Sequence, residues 1–256
     1  MTTTEHSGSG DVSRSLELLW GLDERPSRGP KPVLTLDRIV TAAVAVADAD
    51  GLGALSMRRV AADLGVGAMS LYRYVPGKAE LLDLMLDKVA EFDADAHPDP
   101  AVGWRPAMEA LARGSRRQYQ RHPWLLQVDQ ARPLLGPNAL DSLEYSVRAL
   151  AGTGLTDREK MRVLVTFGGF LTGVARTEVN AALAEKRTGI SNADFWQSQE
   201  PVLSKVMLSG RYPALAALDE DTFAGDDAAA FELGLTAFLD GIAALIGTRT
   251  ARTDAP

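Results

Sequence analysis

The stretch from Ser56 to Lys78 holds the side chains best suited to chemistry, and the chemistry they suit is recognition of a polyanion. Guanidinium and ammonium groups bind phosphates, hydroxyls bond to phosphates or base edges, and small apolar side chains contact a thymine methyl. These types predict binding to double-stranded DNA. The candidate residues on the outward face of this stretch are Ser70, Tyr72, Arg73 and Tyr74.

The same stretch has the pattern of a helix-turn-helix. Ser56 can cap a short helix with one apolar face, and Gly65 gives the backbone the freedom that a tight turn needs. A second short helix follows, in which Leu71 points inward while polar, aromatic and basic side chains point outward. For Tyr72 and Tyr74 the alternative is partial burial against a neighbouring helix.

Two longer helices are predicted to hold this motif. The first spans about residues 35–50, with Thr35 as its cap and its apolar residues along one stripe. The second spans about residues 78–92. The acidic, helix-breaking stretch at 95–100 follows, and it sets the end of a DNA-binding domain at residues 33–93.

The N-terminal region, residues 1–32, is rich in Ser, Thr, Gly and Pro. We expect it to be a flexible tail, largely disordered or loosely attached. Its end carries Arg28 and Lys31 among residues that resist helix formation, which gives a stiff cationic arm beside the motif. The arm is a further candidate for DNA contact, and the alternative is a solvated linker.

A larger helical domain is predicted at residues 94–250, followed by a flexible tail at 251–256. Alanine and leucine dominate, β-branched runs are short, and apolar residues repeat at helical spacing, so the whole chain is expected to be all-α. A break is predicted at His122-Pro123. Helices are predicted at about 106–121, 137–151, 156–186, 192–209 and 226–248.

The order of these elements and the string L-G-V-G-A-M-S-L-Y-R-Y-V-P-G-K-A-E-L-L, from Leu64 to Leu82, resemble the tetracycline-repressor (TetR) family of bacterial regulators. The resemblance covers about residues 34–89. It implies a homodimer whose helix-turn-helix units bind an inverted-repeat operator and whose C-terminal domain holds a small-molecule effector that relieves repression. It also implies that Lys78 holds a phosphate. The further residues that it implies for DNA contact are Ser56, Arg58, Arg59, Gly67, Ala68 and Met69. No cofactor is predicted. Gly67 departs from the Ser or Thr of many relatives.

Two later helices are predicted to pair with their copies in a four-helix dimer interface. The predicted helix at about 226–248 has apolar residues at alternating spacings of four and three. The predicted helix at about 156–186 carries small residues four positions apart, which permit another helix to approach closely. The alternative is an ordinary monomer core. The predicted dimer residues are Leu164, Gly169, Leu171, Gly173, Phe231, Leu235, Phe238, Ile242 and Leu245.

The effector site is predicted from aromatic and polar residues at helical spacing, which are also typical of a plain core. Arg116 and Arg121 lie near the same region of the sequence. They could bind an anionic ligand, and the alternative is that they lie on the solvated surface. His6, His97 and His122 lack a metal-ligand spacing, so no metal site is predicted. The candidate ligand-binding residues are Trp124, Tyr145, Phe167, Phe170 and Thr177.

Composition bounds the compartment and the partners. The chain has no cysteine and a net charge of −7, yet residues 25–90 carry nine Lys/Arg and seven Asp/Glu, so the motif lies in a locally basic region. The apolar stretch 231–246 is interrupted by charges and falls short of the roughly 20 residues of a membrane span. With no targeting segment expected, these features predict a cytoplasmic protein without membrane contact.

Two other functions remain open at the level of sequence. In the first alternative, the helical C-terminal region is an enzyme and the helix-turn-helix is an accessory unit. The sequence contains no nucleophile elbow, phosphate loop or metal motif, and no catalytic residue is predicted. In the second, the helix-turn-helix packs against another protein. The basic arm and Lys78 argue against that alternative.

Overall fold

The computed structural model describes residues 5–22, 34–91, 98–219, 222 and 227–253. Within these ranges the chain is all-α except for one short two-stranded parallel sheet, as predicted. The helices are α1 Val12–Leu19, α2 Leu36–Asp50, α3 Met57–Asp63, α4 Ala68–Leu71, α5 Lys78–Val89, α6 Trp104–Arg121, α7 Pro137–Ala149, α8 Asp157–Thr188, α9 Asn192–Met207, α10 Pro213–Ala216 and α11 Asp227–Thr253, and the strands are β1 Glu5–His6 and β2 Val128–Asp129.

Local capping rules place α2 and α3 as the sequence predicts. The Thr35 hydroxyl accepts the N–H of Arg38 at 3.2 Å, and the Ser56 hydroxyl accepts the N–H of Arg59 at 3.2 Å. Each bond satisfies one of the N–H groups that a helix start leaves free. Gly51 ends α2 with a φ of 81°, a conformation that favours glycine.

The helix-turn-helix sits on a core shared by α2, α3, α4 and α5. Side chains from all four helices are fully buried there, so burial of apolar surface holds α4 against the rest despite its single turn. The core extends beyond the motif, because Trp124, Leu125 and Val128 belong to it. Its fully buried members include Ile39, Ala43, Val60, Leu71, Val75, Leu81, Leu82 and Met85.

Residues 5–22, which we call the N-terminal clip, are folded against this core. The expectation of a loosely attached N-terminal region is therefore wrong for these residues. Strand β1 pairs in parallel with β2, with Glu5 opposite Val128 and His6 opposite Asp129, and α1 packs on α5. Arg28 and Lys31 of the predicted arm lie outside the described residues.

The later helices begin and end within a few residues of the predicted positions. The predicted break at His122-Pro123 is a short 3-10 helix over Pro123–Gln127. At the start of α8, Thr156 and Glu159 cap each other, because each backbone N–H donates to the other's side chain. Helix α10, a single turn, was not predicted.

The chain divides into two compact units, one up to Leu171 together with Ile246 onward, the other Thr172–Leu245. The first unit contains the clip, the helix-turn-helix, α6, α7 and the beginning of α8. The second contains the rest of α8, with α9, α10 and most of α11. The domain boundary predicted at residue 93 stays a prediction.

One helix, over Ala228–Arg249 of α11, is long and apolar enough to cross a membrane by length and composition. The expectation that the apolar stretch of this helix is too short for a membrane span is therefore wrong as regards its length. Only 22% of the segment is buried within one chain. A helix that packs in a protein core or interface passes the same test, so the feature is weak evidence for a membrane.

Candidate nucleic-acid interface

Helix α4 is held against the core mainly by Leu71, which is its buried residue. Leu71 is fully buried, and its carbonyl accepts the N–H groups of Tyr74 and Val75 at 2.8 and 2.9 Å. The turn between α3 and α4 contains Gly65 with a φ of 70°, as predicted. The helix therefore projects from the core as a short, rigid element.

The outward face of α4 and the turn after it is the exposed surface that the sequence predicts. Met69 is 76% exposed and Tyr72 is 45% exposed. Arg73 is exposed, and its guanidinium makes no ion pair among the residues that the structure describes. Ser70 is half-buried.

Tyr74 follows the alternative of partial burial, and Ala68 is partly buried as well. Both are half-buried and pack against the core of the motif, so each offers only part of its surface to a partner. Gly67 precedes α4 as its cap residue, is exposed, and provides no side-chain bond to the helix. The side chains most available on this face are therefore Met69, Tyr72 and Arg73.

The two arginines at the start of α3 differ in availability. Arg58 is exposed and has no ion pair within the described ranges. Arg59 is held by two carboxylates, with its Nη2 2.9 Å from Asp50 and its Nε 3.2 Å from Asp63. The hydrogen bond to Asp63 is the main cause that raises the pKa of Arg59 above its ordinary value. Arg58 is the better placed cation for a phosphate.

Lys78 occupies the first position of α5, directly after the Pro76-Gly77 turn. Its ammonium is not free. Nζ lies 2.8 Å from Oε1 of Glu5 in the clip, and the two side chains are 33% and 34% exposed. The residue expected to hold a phosphate is therefore paired with a carboxylate of the same chain.

Three carboxylates on one face of α5 are functional residues that the sequence reading missed. Glu80, Asp83 and Asp87 are all buried, although α5 is otherwise apolar there. Their spacing of three and four residues places them on one helical face, which is the signal that was available. Buried carboxylates need hydrogen-bond partners, and in this chain the partners come from distant segments.

The clip supplies the partners of Glu80 and Asp83. Asp83 accepts the N–H of Gly8 at 2.8 Å and the hydroxyls of Ser7 and Ser15 at 3.3 and 2.8 Å. Glu80 accepts the N–H of Asp11 at 3.0 Å. These bonds fix the clip on α5.

Asp48 of α2 joins the helix-turn-helix core to the segment after α6. Its Oδ1 accepts the indole N–H of Trp124 at 2.7 Å and lies 2.7 Å from Nδ1 of His122. Trp124 is 1% exposed and part of the N-terminal core. It therefore packs in this core, and its assignment to an effector cavity stays a prediction.

The other predicted effector residues differ in burial within their own units. Tyr145 is buried beside Ala107 and Ala149, and its hydroxyl donates to the carbonyl of Pro98 at 2.7 Å. Burial is the main cause that raises the pKa of Tyr145. The burial of the rest differs: Phe167 is buried, Phe170 half-buried and Thr177 exposed.

A cavity of about 480 Å³ lies elsewhere in the first unit, beside the 3-10 helix Pro100–Val102 and the end of α7. None of the five predicted ligand-binding residues lines it. Arg116 and Arg121 do not line it either. Its lining includes Pro100, Trp104, Arg148, Ala149, Thr153 and Ile246.

The residues predicted for a dimer interface fall into two groups. Leu171, Phe231, Leu235 and Ile242 are buried within one chain, so they leave little area for a partner. The others keep accessible surface: Leu164, Phe238 and Leu245 are half-buried, and Gly169 and Gly173 are exposed.

Helix α11 has another face that one chain leaves uncovered. The residues on it step by three and four, and all are exposed, small or apolar. Leu233 is 73% exposed, and an added Cβ at Gly241 would meet no atom within 4 Å. The face consists of Ala230, Leu233, Ala237, Gly241 and Ala244.

No group of three or more metal-ligating side chains occurs among the described residues. His6 lies in β1, and His122 bonds to Asp48. His97 lies outside the described ranges.

Two family models match the chain over the elements described above. Residues 39–85 match "Bacterial regulatory proteins, tetR family", and residues 97–246 match "Tetracyclin repressor-like, C-terminal domain". The first match contains the helix-turn-helix. The second contains α6 to α10 and most of α11.

Individual proteins match over nearly the whole chain. The HTH-type transcriptional repressor DrrR1 of Streptomyces coeruleorubidus is 54% identical over 96% of this chain and 91% of its own length. Apo ActR from Streptomyces coelicolor has a similar structure, with a TM-score of 0.68 and 30% identity over 86% of this chain and 99% of that one. ActR in complex with actinorhodin matches with a TM-score of 0.60 and 28% identity, covering 84% and 97% of the two chains.

Proposed function

The chain belongs to the tetracycline-repressor family of bacterial regulatory proteins, and we propose that it is a ligand-responsive transcriptional repressor. It binds an inverted-repeat operator as a homodimer, and a small-molecule effector releases it. One observation carries the DNA-binding part: Leu71 anchors α4 on the core, and the exposed side chains of Met69, Tyr72 and Arg73 lie on α4 and the turn after it. Arg73 makes no ion pair within the described residues.

Each exposed side chain of this face has a role that its chemistry allows. Arg73 reads a guanine through O6 and N7, because its planar fork matches those two acceptors. Met69 makes apolar contact with a thymine methyl, and Tyr72 and Ser70 donate to phosphates or a base edge. Arg58 holds a phosphate beside the start of α3.

Two such units related by a two-fold axis read two half-sites. Their spacing in the dimer is about one turn of DNA, roughly 34 Å, or somewhat more. The exposed face of α11 supports the dimer, because a row of small residues lets a second helix approach closely and would otherwise leave apolar surface in water. The pairing of α8 with its copy remains part of the proposal.

Release follows from differential binding. ActR, which shares about 30% identity with this chain, has been seen with actinorhodin bound, and we extend ligand binding to this chain on that similarity. The dimer has one state that fits the operator and another whose helix-turn-helix units are wrongly spaced for it. An effector shifts the equilibrium towards the second state by the difference between its binding free energies for the two states, typically about 1–3 kcal/mol. Asp48 bonds to Trp124 and lies beside His122, and Asp87 accepts the N–H of Ala139 at the start of α7, so both contacts connect α2 and α5 to the region after the helix-turn-helix.

This function makes the chain a cytoplasmic binding protein rather than an enzyme. The free energy of DNA binding keeps the chain on its operator, and this function involves no chemical reaction. A helical enzyme or a protein-interaction module would not prefer one duplex sequence.

The test is selection of duplexes from random oligonucleotides by the full chain at low ionic strength, followed by fluorescence anisotropy on the selected site. We expect an inverted repeat, bound about 10³-fold or more tightly than random DNA. Sedimentation at micromolar concentration should give a dimer. Recovery of no preferred sequence, or a clean monomer, would contradict the proposal.

A further inference from the structure

The N-terminal clip lies against the residue that the proposed function assigns to a DNA phosphate. Its α1 is capped by Asp11, whose side chain accepts the N–H of Arg14 at 3.1 Å. Residues 5–22 carry three carboxylates, Glu5, Asp11 and Glu17, against one arginine. A folded, acidic segment thus sits beside the start of α5.

The clip is firmly attached, so its position is a property of the fold. Asp83 is 2% exposed, and the clip donates three hydrogen bonds to it, from Ser7, Gly8 and Ser15. Detachment would leave a buried carboxylate without those donors. Gly10 permits the close approach, because a Cβ there would overlap the Glu80 carboxylate. Detaching the whole clip is therefore costly.

The backbone at Glu5 is fixed independently. Strand β1 pairs with β2, and the N–H of Ser7 donates to the carbonyl of Asp129 at 3.0 Å. Only the Glu5 side chain, which is about one-third exposed, has freedom to move away from Lys78. Its charge stays close to Lys78 even when the contact opens, well within a Debye length of about 8–10 Å.

We propose that Glu5 is an affinity-setting residue: its ion pair with Lys78 must be displaced by a DNA phosphate, so the clip weakens DNA binding. The inference rests on the proposed function, since it takes Lys78 to be a phosphate contact. Phosphate contacts carry no sequence information. Glu5 therefore lowers affinity for operator and random duplex alike and restrains non-specific binding.

The salt dependence follows from the same contact. Each cation that neutralises a phosphate releases condensed counterions and steepens the dependence of affinity on salt by about 0.9. A Lys78 already neutralised by Glu5 contributes less than this. Removing the carboxylate charge restores the full contribution.

The experiment compares Glu5→Gln with Glu17→Gln, which removes the same charge from the same segment at an exposed position paired with Arg14. Affinity for the selected operator and for a random duplex is measured by fluorescence anisotropy over a series of KCl concentrations. We expect Glu5→Gln to bind both duplexes about two- to fivefold more tightly, the range of an exposed ion pair, with a salt slope steeper by up to about 0.9. Glu17→Gln should stay close to the unmodified chain.

A second pair of variants isolates the contact. In a Lys78→Gln background, Glu5→Gln should have no further effect on either duplex. A Glu5→Gln effect equal to that of Glu17→Gln, or one that persists without Lys78, would overturn the proposal by showing general repulsion. Weaker binding would overturn it too, because Glu5 would then orient Lys78 towards the phosphate.

Failure of the proposed function is distinguishable from failure of this inference. If the unmodified chain shows no operator preference, the repressor proposal fails. The comparison of Glu5→Gln with Glu17→Gln on random duplex at low salt still decides whether Glu5 restrains phosphate contact.

Discussion

The Asp87 carboxylate of α5 accepts the backbone N–H of Ala139 in α7 at 3.0 Å. The same carboxylate accepts the side-chain N–H of Asn138 at 3.2 Å. A residue of the helix-turn-helix region thus caps the first turn of a helix in the C-terminal region. Gly136 is required beside it, because an added Cβ there would overlap the Asp87 carboxylate.

Asp87→Ala should lower the free energy of unfolding by about 1–3 kcal/mol, because it leaves the half-buried donors of Asn138 and Ala139 at the start of α7 without their acceptor. Urea unfolding followed by circular dichroism measures this. Asp141→Ala, at an exposed position of the same helix, should change stability by less than about 0.5 kcal/mol. Equal losses in the two variants would show that the cap is unimportant.

Arg73→Ala should reduce operator affinity by about 1–3 kcal/mol and relax specificity at one base position, because a bidentate contact with guanine is lost. Anisotropy on the operator and on its single-base variants measures both effects. Arg187→Ala removes the same charge from an exposed position near the end of α8 and should leave binding almost unchanged. If Arg73→Ala weakens operator and random DNA equally, Arg73 contacts a phosphate rather than a base.

Arg58→Gln should weaken DNA binding more than Arg59→Gln, although the two residues are adjacent. Arg59 is already paired with Asp50 and Asp63, whereas Arg58 is available for a phosphate. The salt slope should fall by about 0.9 for Arg58→Gln and by less for Arg59→Gln. The reverse order would mean that Arg59 leaves its carboxylates when DNA binds.

Leu71→Ala should destabilise the chain by about 2–5 kcal/mol, because it opens a cavity under α4. Thermal or urea unfolding measures the loss. Met69→Ala, two residues earlier at a position 76% exposed, should leave stability nearly unchanged and instead weaken operator binding. A stable Leu71→Ala variant with normal DNA binding would argue against the anchoring role.

Glu159 should contribute a pH-dependent stabilisation at the start of α8. Hydrogen bonds from the backbone N–H and hydroxyl of Thr156 hold the pKa of Glu159 below its ordinary value of 4.5, and Arg249 adds to the effect. Because the folded state binds this proton less well than the unfolded state, the stabilisation is present above pH 4.5 and lost as the pH falls through the lowered pKa. The melting temperature of Glu159→Gln should lie below that of the unmodified chain at pH 7 and converge with it in acid, and a constant gap would contradict this.

The sequence predicts those features that depend on neighbouring residues. Caps at Thr35, Ser56 and Thr156 and the glycine turn at Gly65 were found because each forms with residues at most four positions away. The helix-turn-helix could be predicted for the same reason. Its exposed face followed from the inward position of Leu71.

Features that depend on distant partners could not be predicted. Trp124 was expected in a ligand cavity, but its partner Asp48 lies 76 residues away in another helix. The clip was expected to be loose because its local sequence is polar, yet its serines satisfy Asp83 across 68 and 76 residues. A single sequence gives no means of pairing such groups, although the three carboxylates on one face of α5 indicated that partners must exist.

The bonds that Glu80, Asp83 and Asp87 make have a consequence for building hybrid regulators from interchangeable parts. Consider a DNA-binding domain excised as residues 33–93 and fused to the ligand-binding domain of another regulator. It would lose the hydrogen-bond donors of the clip, Ser7, Gly8, Asp11 and Ser15, and those of α7, Asn138 and Ala139. Three buried carboxylates would then be left without these donors. A transplantable module from this chain must carry its first 22 residues and a recipient whose α7 equivalent begins with matching donors.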